Sequence, residues 1–456
     1  MMGSLEMVRA RFATSALILL LSALFLVLPA IAARAAMNIQ EVKSDSGVTA
    51  WLVEDYSVPL ISVQFAFRGG NSQDPAGKEG LANLMTGLFD EGAGDMDSDA
   101  FQIRLDDAGA EMSFRQTRDS LYGSMRMLAE QKDEAFDLLR LAIQEPRFDQ
   151  APIDRIRAQI VSGIVAGERD PNTVGAQKWA ETLYPNHPYS RRAEGTKESL
   201  ASITAADLRA FHKAMFARDG LYVAVVGAID AETLKRQLDR LFGALPQKQE
   251  LAPVADISPK LGGEIEVPYD QPQTSLQLAY PGVKRSEPEF YATALLNEIL
   301  GAGTFTSRLY KEVREKRGLA YNVDSLLINR KHAALLVVAT ATRSDRAGET
   351  LDIIRDVVKR MAVEGPTQEE LAAARQHVIG AYAINNLDSS GAIAGTLLGL
   401  QLEDLGIDYM QRRAALLDAV TLEDVKAVAA RLLSVEPAIM VVGPALDKDA
   451  GQGNKG

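Results

Sequence analysis

An internal repeat is the feature of this sequence that most restricts its fold. Three stretches of different hydrophobic pattern each recur once, further along the chain. The recurring pairs are 63–67 with 276–280, 134–140 with 349–355, and 222–227 with 438–443. Their offsets are 213 (276 − 63), 215 (349 − 134) and 216 (438 − 222) residues. This near-constant spacing predicts two homologous domains of roughly 200 residues each.

The patterns within each repeat predict an α+β fold. Alternating apolar residues at 63–67 and 276–280 indicate half-buried strands, whereas 134–140 and 349–355 have the periodicity of amphipathic helices. Strands at the start of a repeat, then long helices and then a further strand, predict a mainly antiparallel sheet with packed helices in each domain.

Proline and glycine mark the join between the domains. Pro246, Pro253 and Pro259 punctuate a polar stretch that ends in a glycine pair, which predicts a linker at 246–263. The N-terminal domain is then predicted at 37–245 and the C-terminal domain at 264–446, with a frayed polar tail at 447–456.

The first 36 residues have the pattern of a signal peptide. Arg9 and Arg11 precede an apolar run at 13–31, and Ala-Arg-Ala at 33–35 is typical of a cleavage site. Because that run spans 19 residues, an uncleaved membrane anchor is the alternative. Both patterns predict export, with a periplasmic location, and cleavage would leave no stable membrane association.

Charge and cysteine content exclude several functions. A formal net charge of −12 argues against binding to nucleic acid. The chain has no cysteine, which excludes disulfides, thiolate metal sites and cysteine nucleophiles. No Gly-x-Ser-x-Gly elbow occurs, so the usual sequence signal of an α/β-hydrolase serine is missing.

The stretch 80–89 predicts an amphipathic helix with the outline of a metal site. The apolar residues at helical spacing are Leu81, Leu84, Met85 and Leu88. Asn83, Thr86 and Gly87 lie at i, i+3 and i+4 and therefore share one face. Histidine, glutamate and histidine at those positions would form a zinc site with a general base. Asn83, Thr86 and Gly87 can neither form such a zinc site nor supply its general base.

The surroundings of this helix resemble the start of the insulinase-like (pitrilysin, M16) metallopeptidases. The matching sequence is FRGGNSQDPAGKEGLAN at 67–83, continued by FDEGA at 89–93. The resemblance implies that Asn83, Thr86 and Gly87 replace the first zinc ligand, the base and the second ligand. It also implies that Gly163, 76 residues after Gly87 (163 − 87), replaces the third ligand. No cofactor is therefore expected in this chain.

The second domain carries another informative stretch. A helix is predicted at 290–300, a flexible loop at 301–307, a basic helix at 308–316 and a strand at 319–323. In the first domain, alternation predicts one strand over 116–127.

The sequence SRLYKEVREKRGLAY at 307–321 resembles the corresponding stretch of the same family. The resemblance implies that Arg314 and Tyr321 reach towards a zinc site. A guanidinium group can hold a peptide carbonyl or carboxylate, and a phenol can donate to an oxyanion. From spacing alone, the alternative is that the basic residues complement a helix C-terminus and Tyr321 fills a strand face.

The four histidines, His187, His212, His332 and His377, are isolated, and we interpret them as structural or solvent-exposed residues.

The resemblance further implies a clamshell of two chains around an unfolded peptide. In some members one subunit holds zinc and its partner supplies the Arg/Tyr pair. We therefore predict a non-zinc-binding subunit of an exported metallopeptidase heterodimer, inactive alone. Its partner would be a homologous zinc-binding subunit, and its substrate an unfolded peptide. The alternative is a catalytically inert pseudopeptidase that binds peptides or scaffolds a complex.

Overall fold

The structure is a computed structural model that describes residues 37–303 and 305–446. The predicted signal peptide at 1–36 and the predicted tail at 447–456 lie outside these residues. Residues 37–39 have no helix or strand, and the described residues from Gln40 onward form one compact unit. The domain boundaries stay a prediction, although 246–263 contains neither helix nor strand.

Two mixed β-sheets form the centre of this unit. The strands are β1 (Gln40–Lys43), β2 (Thr49–Glu54), β3 (Leu60–Arg68), β4 (Gly92–Ala93), β5 (Met96–Asp97), β6 (Glu111–Gln116), β7 (Ser120–Leu128), β8 (Leu221–Gly227), β9 (Glu264–Pro268), β10 (Gln273–Pro281), β11 (Ala320–Asn329), β12 (Ala334–Arg343) and β13 (Ala438–Gly443). The first sheet has the order β1-β2-β8-β3-β7-β6 and the second the order β11-β12-β10-β13-β9. One pair in each is parallel, β2 with β8 and β9 with β13. The predicted α+β class is confirmed, with mixed sheets.

Helices cover these sheets. They are α1 (Leu81–Thr86), α2 (Ser98–Asp107), α3 (Lys132–Gln144), α4 (Gln150–Gly167), α5 (Pro171–Leu183), α6 (Lys197–Ser202), α7 (Ala205–Met215), α8 (Ala231–Phe242), α9 (Phe290–Asn297), α10 (Ala347–Glu364), α11 (Gln368–Asn386), α12 (Ser390–Leu402), α13 (Tyr409–Asp418) and α14 (Leu422–Leu433). Two π-helices, Glu298–Ala302 and Tyr310–Glu315, occur in the second half. No helix among the described residues is both long and apolar enough to cross a membrane.

The core of the first half forms between its sheet and several helices, including α1, α3, α7 and α8. The apolar face predicted for α1 is buried, with Leu81, Leu84, Met85 and Leu88 each exposed by 1% or less. The rings of Phe67 and Phe216 lie 4.3 Å apart beneath the sheet, which adds aromatic packing to the apolar burial. The helix itself is shorter than predicted, because it ends at Thr86 with Gly87 as its C-cap residue.

Each half of the unit places one helix against the sheet of the other half. On α5, a Cβ at Gly175 would lie 2.7 Å from Val442 Cγ2 on β13, so the close contact depends on glycine. On α12, the Gln401 side-chain amide donates to the Val223 carbonyl of β8 at 2.9 Å. These helices start 219 residues apart (390 − 171), which is close to the repeat offset. The two halves therefore exchange equivalent helices.

Four local predictions differ from the structure in type or bounds. The strand predicted over 116–127 is interrupted, because the Thr117 N–H donates to the Ser120 carbonyl at 2.8 Å and closes a turn between β6 and β7. The helix predicted at 290–300 changes to a π-helix after Asn297, and that at 308–316 is α-helical only at 308–309 before it becomes π-helical. The flexible loop predicted at 301–307 begins with Gly301, which is instead buried in the first π-helix. A Cβ at Gly301 would lie 2.3 Å from the Ser325 backbone nitrogen.

Candidate functional site

A sharp reversal of the chain positions Arg314 and Tyr321. Gly318 adopts φ +61°, a conformation that glycine tolerates best, and its N–H donates to the Arg314 carbonyl at 2.9 Å. Val313 and Leu319 are buried on either side of this reversal. The π-helix and β11 are therefore anchored to the core by the neighbours of the two candidate residues.

Arg314 and Tyr321 form a stacked pair at the surface. The guanidinium carbon of Arg314 lies 4.6 Å from the centroid of the Tyr321 ring and 5.0 Å from that of Tyr310. Tyr321 is 83% exposed. Among the described residues, Arg314 forms no ion pair and the Tyr321 hydroxyl no hydrogen bond. Cation–π stacking thus orients both polar groups while leaving them available to a ligand.

A bulge in the second sheet determines the direction of Tyr321. Ala320 pairs with Thr342, but the next paired residue, Val323, is opposite Thr340. Two residues of β11, including Tyr321, therefore face a single residue of β12, an arrangement that re-aims side chains at a sheet edge. β11 is an edge strand, and the Tyr321 ring at its bulge is exposed.

Three other basic residues of this stretch are engaged locally. Both Nε and Nη2 of Arg308 donate to the carboxylate of Glu370, at 2.8 and 2.7 Å. Lys316 and Arg317 each donate to Glu312 at 2.7 Å. Arg314 differs from these neighbours because its partners are aromatic rings.

The face of α1 that corresponds to the zinc motif is closed by polar contacts and packing. Asn83 Oδ1 accepts a hydrogen bond from the Gln116 amide at 3.2 Å. Thr86 is buried and its hydroxyl donates to the Asn83 carbonyl at 2.9 Å. A Cβ at Gly87 would lie 3.0 Å from Ile156 Cγ2 of α4. Gly163 lies further along α4 and is exposed.

These residues do not fit a zinc ion. Glycine has no side-chain ligand atom, and neither asparagine nor threonine is among the side chains that typically bind zinc in proteins. Within 37–303 and 305–446, no group of three His, Cys, Asp or Glu side chains could hold a metal ion. Nor does any hydrogen bond, ion pair or ring contact between described residues join Arg314 or Tyr321 to the α1 face.

Asp74 is a buried carboxylate that the sequence analysis did not identify. Its two oxygens accept from the Gly80 and Ala82 N–H groups at 2.8 and 2.9 Å, which fixes the entry of the chain into α1. Burial raises the pKa of Asp74 to about 7, although the two backbone hydrogen bonds oppose that shift. Asp74 lies six residues before Gly80, so helical periodicity gave no signal for it.

The four histidines have different hydrogen-bond or ion-pair partners, although His187 and His332 both lie beside the ring of Tyr189. His187 and His212 each place Nε2 within hydrogen-bond distance of a backbone carbonyl, that of Ala255 at 2.9 Å and that of Ile143 at 2.8 Å. Burial lowers the pKa of His212 to about 4, so its ring is neutral at pH 7. The other two have carboxylate neighbours, with His332 near Asp256 and His377 near Glu298.

The fold and the site define an α+β protein with an exposed Arg–Tyr pair and, among the described residues, no zinc-ligand set. Residues 202–378 match the family model described as "Peptidase M16 inactive domain". The structure is similar to the crystal structure of a peptidase M16 inactive domain from Pseudomonas fluorescens, with a TM-score of 0.83 and 28% identity, covering 90% of this chain and 98% of that one.

Two relatives in sequence carry contrasting names. The chain is 28% identical over 398 residues to an uncharacterized zinc protease of Streptomyces coelicolor, which covers 85% of each chain. It is 26% identical over 355 residues to the non-peptidase homolog YmxG of Helicobacter pylori, covering 76% of this chain and 82% of the relative. Together these findings support the M16 peptidase family, inactive-domain type, for this chain.

Proposed function

We propose that this chain is the non-zinc-binding subunit of an exported metallopeptidase heterodimer. It contributes substrate binding and transition-state stabilisation, while a homologous partner supplies zinc and the water-activating glutamate. The chain alone is expected to be inactive.

The stacking of Arg314 on Tyr321 is the observation that carries this proposal. A tyrosine that is 83% exposed and held against a guanidinium group contributes little to a core, yet the bulge in β11 maintains its direction. An arrangement that fixes two polar groups without using their hydrogen-bonding capacity is typical of a site that awaits a ligand.

The chemistry of the pair suits the binding of a peptide. The guanidinium of Arg314 offers parallel N–H donors to a carbonyl or carboxylate of the substrate. The hydroxyl of Tyr321 can donate a hydrogen bond to the oxygen that gains negative charge as the peptide carbonyl is attacked. Both effects position substrate and stabilise charge, and neither requires this chain to hold a metal.

The packing of the α1 face supports an arrangement in which the partner subunit, and not this chain, holds zinc. Thr86 is buried, a Cβ at Gly87 would press on Ile156, and the third-ligand position is Gly163. Zinc would therefore have to be held by the partner subunit. Export, with a periplasmic location, remains part of the proposal on the pattern of residues 1–36.

A catalytically inert role is the second candidate. The relative named a non-peptidase homolog supports it, because that protein aligns over 76% of this chain. In this case the chain binds peptides or scaffolds a complex, and the loss of Arg314 and Tyr321 leaves its affinity for unfolded peptides unchanged.

Purification with and without a partner tests the proposal. The partner is a homologue with an intact His-x-x-Glu-His motif, sought first in the adjacent gene. We expect neither zinc nor peptide cleavage in the lone chain, and both in the co-purified complex. Zinc and cleavage in the lone chain would contradict the proposal, and a complex no more active than the partner alone would favour the inert role.

A further inference from the structure

A basic cavity of about 620 Å³ opens between the two halves of the unit. Its walls come from the turn between β6 and β7, from residues 284–286, from the hairpin of β11 and β12, and from the end of α12. Six lining side chains are cationic, namely Arg68, Arg118, Lys284, Arg285, Arg330 and Lys331. The mechanism proposed above uses none of them.

The carboxylates of the wall neutralise only part of this positive charge, since Asp404 pairs with Arg68 at 3.8 Å. Three acidic side chains, Asp119, Glu403 and Asp404, face six basic ones, in a chain whose formal net charge is −12. The oxygens of Asp119 accept from the Tyr189 hydroxyl and from the Lys331 backbone N–H. Burial raises the pKa of Glu403, which disfavours its charged form. The cavity therefore concentrates positive potential in an otherwise acidic molecule.

Several of the cations lack a charged partner. Arg118, Arg285, Arg330 and Lys331 form no ion pair within the part of the chain that the structure describes. Arg118 donates instead to a backbone carbonyl, and Arg330 stacks over the ring of Tyr189 at 5.3 Å. Burial lowers the pKa of Arg118, and the nearby charge of Arg330 lowers it further. An anion in the cavity would relieve this repulsion.

Asn71 distinguishes between the kinds of anion that could bind. Its side chain lines the cavity, is 4% exposed, and its Oδ1 has no hydrogen-bond partner among the described residues. An unused buried acceptor is unfavourable until a donor reaches it. An acidic peptide supplies both carboxylates for the cations and backbone N–H donors for this amide, whereas a small inorganic anion supplies mainly acceptors.

We propose that this cavity binds an acidic segment of a peptide. Arg330 and Lys331 hold its carboxylates, and Asn71 accepts from its backbone. The inference deepens the proposed function and rests on it for the class of ligand, since a peptide is the ligand of both sites. It involves residues separate from Arg314 and Tyr321, so each site can be tested independently.

Fluorescence anisotropy with a labelled, unstructured Glu-rich peptide tests this site in the full exported chain. The comparison peptide has every Glu replaced by Gln. We expect the Glu peptide to bind at least about tenfold more tightly, with an affinity that falls as salt is added. The variant Arg330→Gln/Lys331→Gln should weaken its binding by at least about tenfold. The matched control Arg169→Gln/Lys178→Gln removes the same charge from exposed positions outside the cavity and should bind like the parent.

The single variant Lys331→Gln separates loss of binding from loss of the fold. No described residue contacts the Lys331 side chain through a hydrogen bond or ion pair, so this change should not disturb folding. It should also weaken binding. Equal affinity for both peptides, or unchanged affinity in the single and double variants, would overturn the proposal. So would tighter binding of inorganic tripolyphosphate, which would identify a small-anion site. The catalytic role is measured separately, as peptide cleavage by the complex with its zinc-binding partner, so failure of the cavity and failure of the catalytic role are distinguishable.

Discussion

Asp74 shows how a single buried carboxylate can make this fold depend on pH. Its pKa is about 7 in the folded chain, against an ordinary value of 3.8, so the folded state retains a proton that the unfolded state releases between these values. The contribution of Asp74 to the free energy of unfolding is therefore complete below about pH 4 and is lost as the pH rises through 7.

The variant Asp74→Asn should remove this dependence while keeping one acceptor for the N–H groups of Gly80 and Ala82. Between pH 4 and 7, we expect the parent to lose stability relative to the variant by up to about 1.4 kcal/mol per pH unit. Urea unfolding at a series of pH values measures the difference. Curves that stay parallel across this range would show that Asp74 does not titrate there.

At this scale, the sequence predicted side chains that follow a helical period and missed those held by turns. The burial of Leu81, Leu84 and Leu88 follows from their spacing, and the structure confirms it. The role of Asp74 depends on the path of the chain between residues 74 and 80, for which no periodicity exists. The cavity cations come from distant segments, so only the folded chain brings them together.

At the scale of elements, two glycines in helices differ in the space around them. A Cβ at Gly301 would lie 2.3 Å from the Ser325 backbone nitrogen, whereas nothing lies within 4 Å of a Cβ at Gly163. We expect Gly301→Ala to lower the free energy of unfolding by about 1 to 3 kcal/mol, because β11 must move.

Gly163→Ala serves as the matched control, since it makes the same chemical change in a helix with open space around it. It should raise the free energy of unfolding by about 0.5 to 1 kcal/mol, because alanine is the better helix former. Urea denaturation of both variants measures the contrast. Equal effects would mean that the approach of the π-helix to β11 is not tight.

Element type was predictable where the apolar pattern was long, as in α3 and α10. It was not predictable at the turn between β6 and β7, because residues 117–119 contain neither glycine nor proline. The π-helices were not predicted either, because i to i+5 hydrogen bonds leave no distinct sequence pattern. One such bond joins the Gly303 N–H to the Glu298 carbonyl at 2.9 Å.

At the scale of the whole molecule, the exchange of α5 and α12 ties the halves together. Each helix covers a sheet built from the other half of the sequence, so separating the halves would expose apolar surface on both. The repeat predicted two similar units, but an apolar helix face does not reveal which sheet it will cover.

Cleavage of the linker tests this exchange. A protease site inserted before Gly262, where a Cβ would meet nothing within 4 Å, allows the folded chain to be cut between its halves. We expect the two fragments to elute together in size-exclusion chromatography and to melt in one transition. Fragments that separate under native conditions would show that the exchanged helices contribute little to association.

Peptide cleavage by the complex with a zinc-binding partner tests most directly whether this chain completes an active site. We expect Arg314→Ala and Tyr321→Phe each to lower kcat/KM by roughly 10²- to 10³-fold, without loss of assembly or zinc. Arg317→Ala, which removes a nearby arginine bound to Glu312, should leave cleavage unchanged. Full activity in both Arg314→Ala and Tyr321→Phe would contradict the proposed role of this chain.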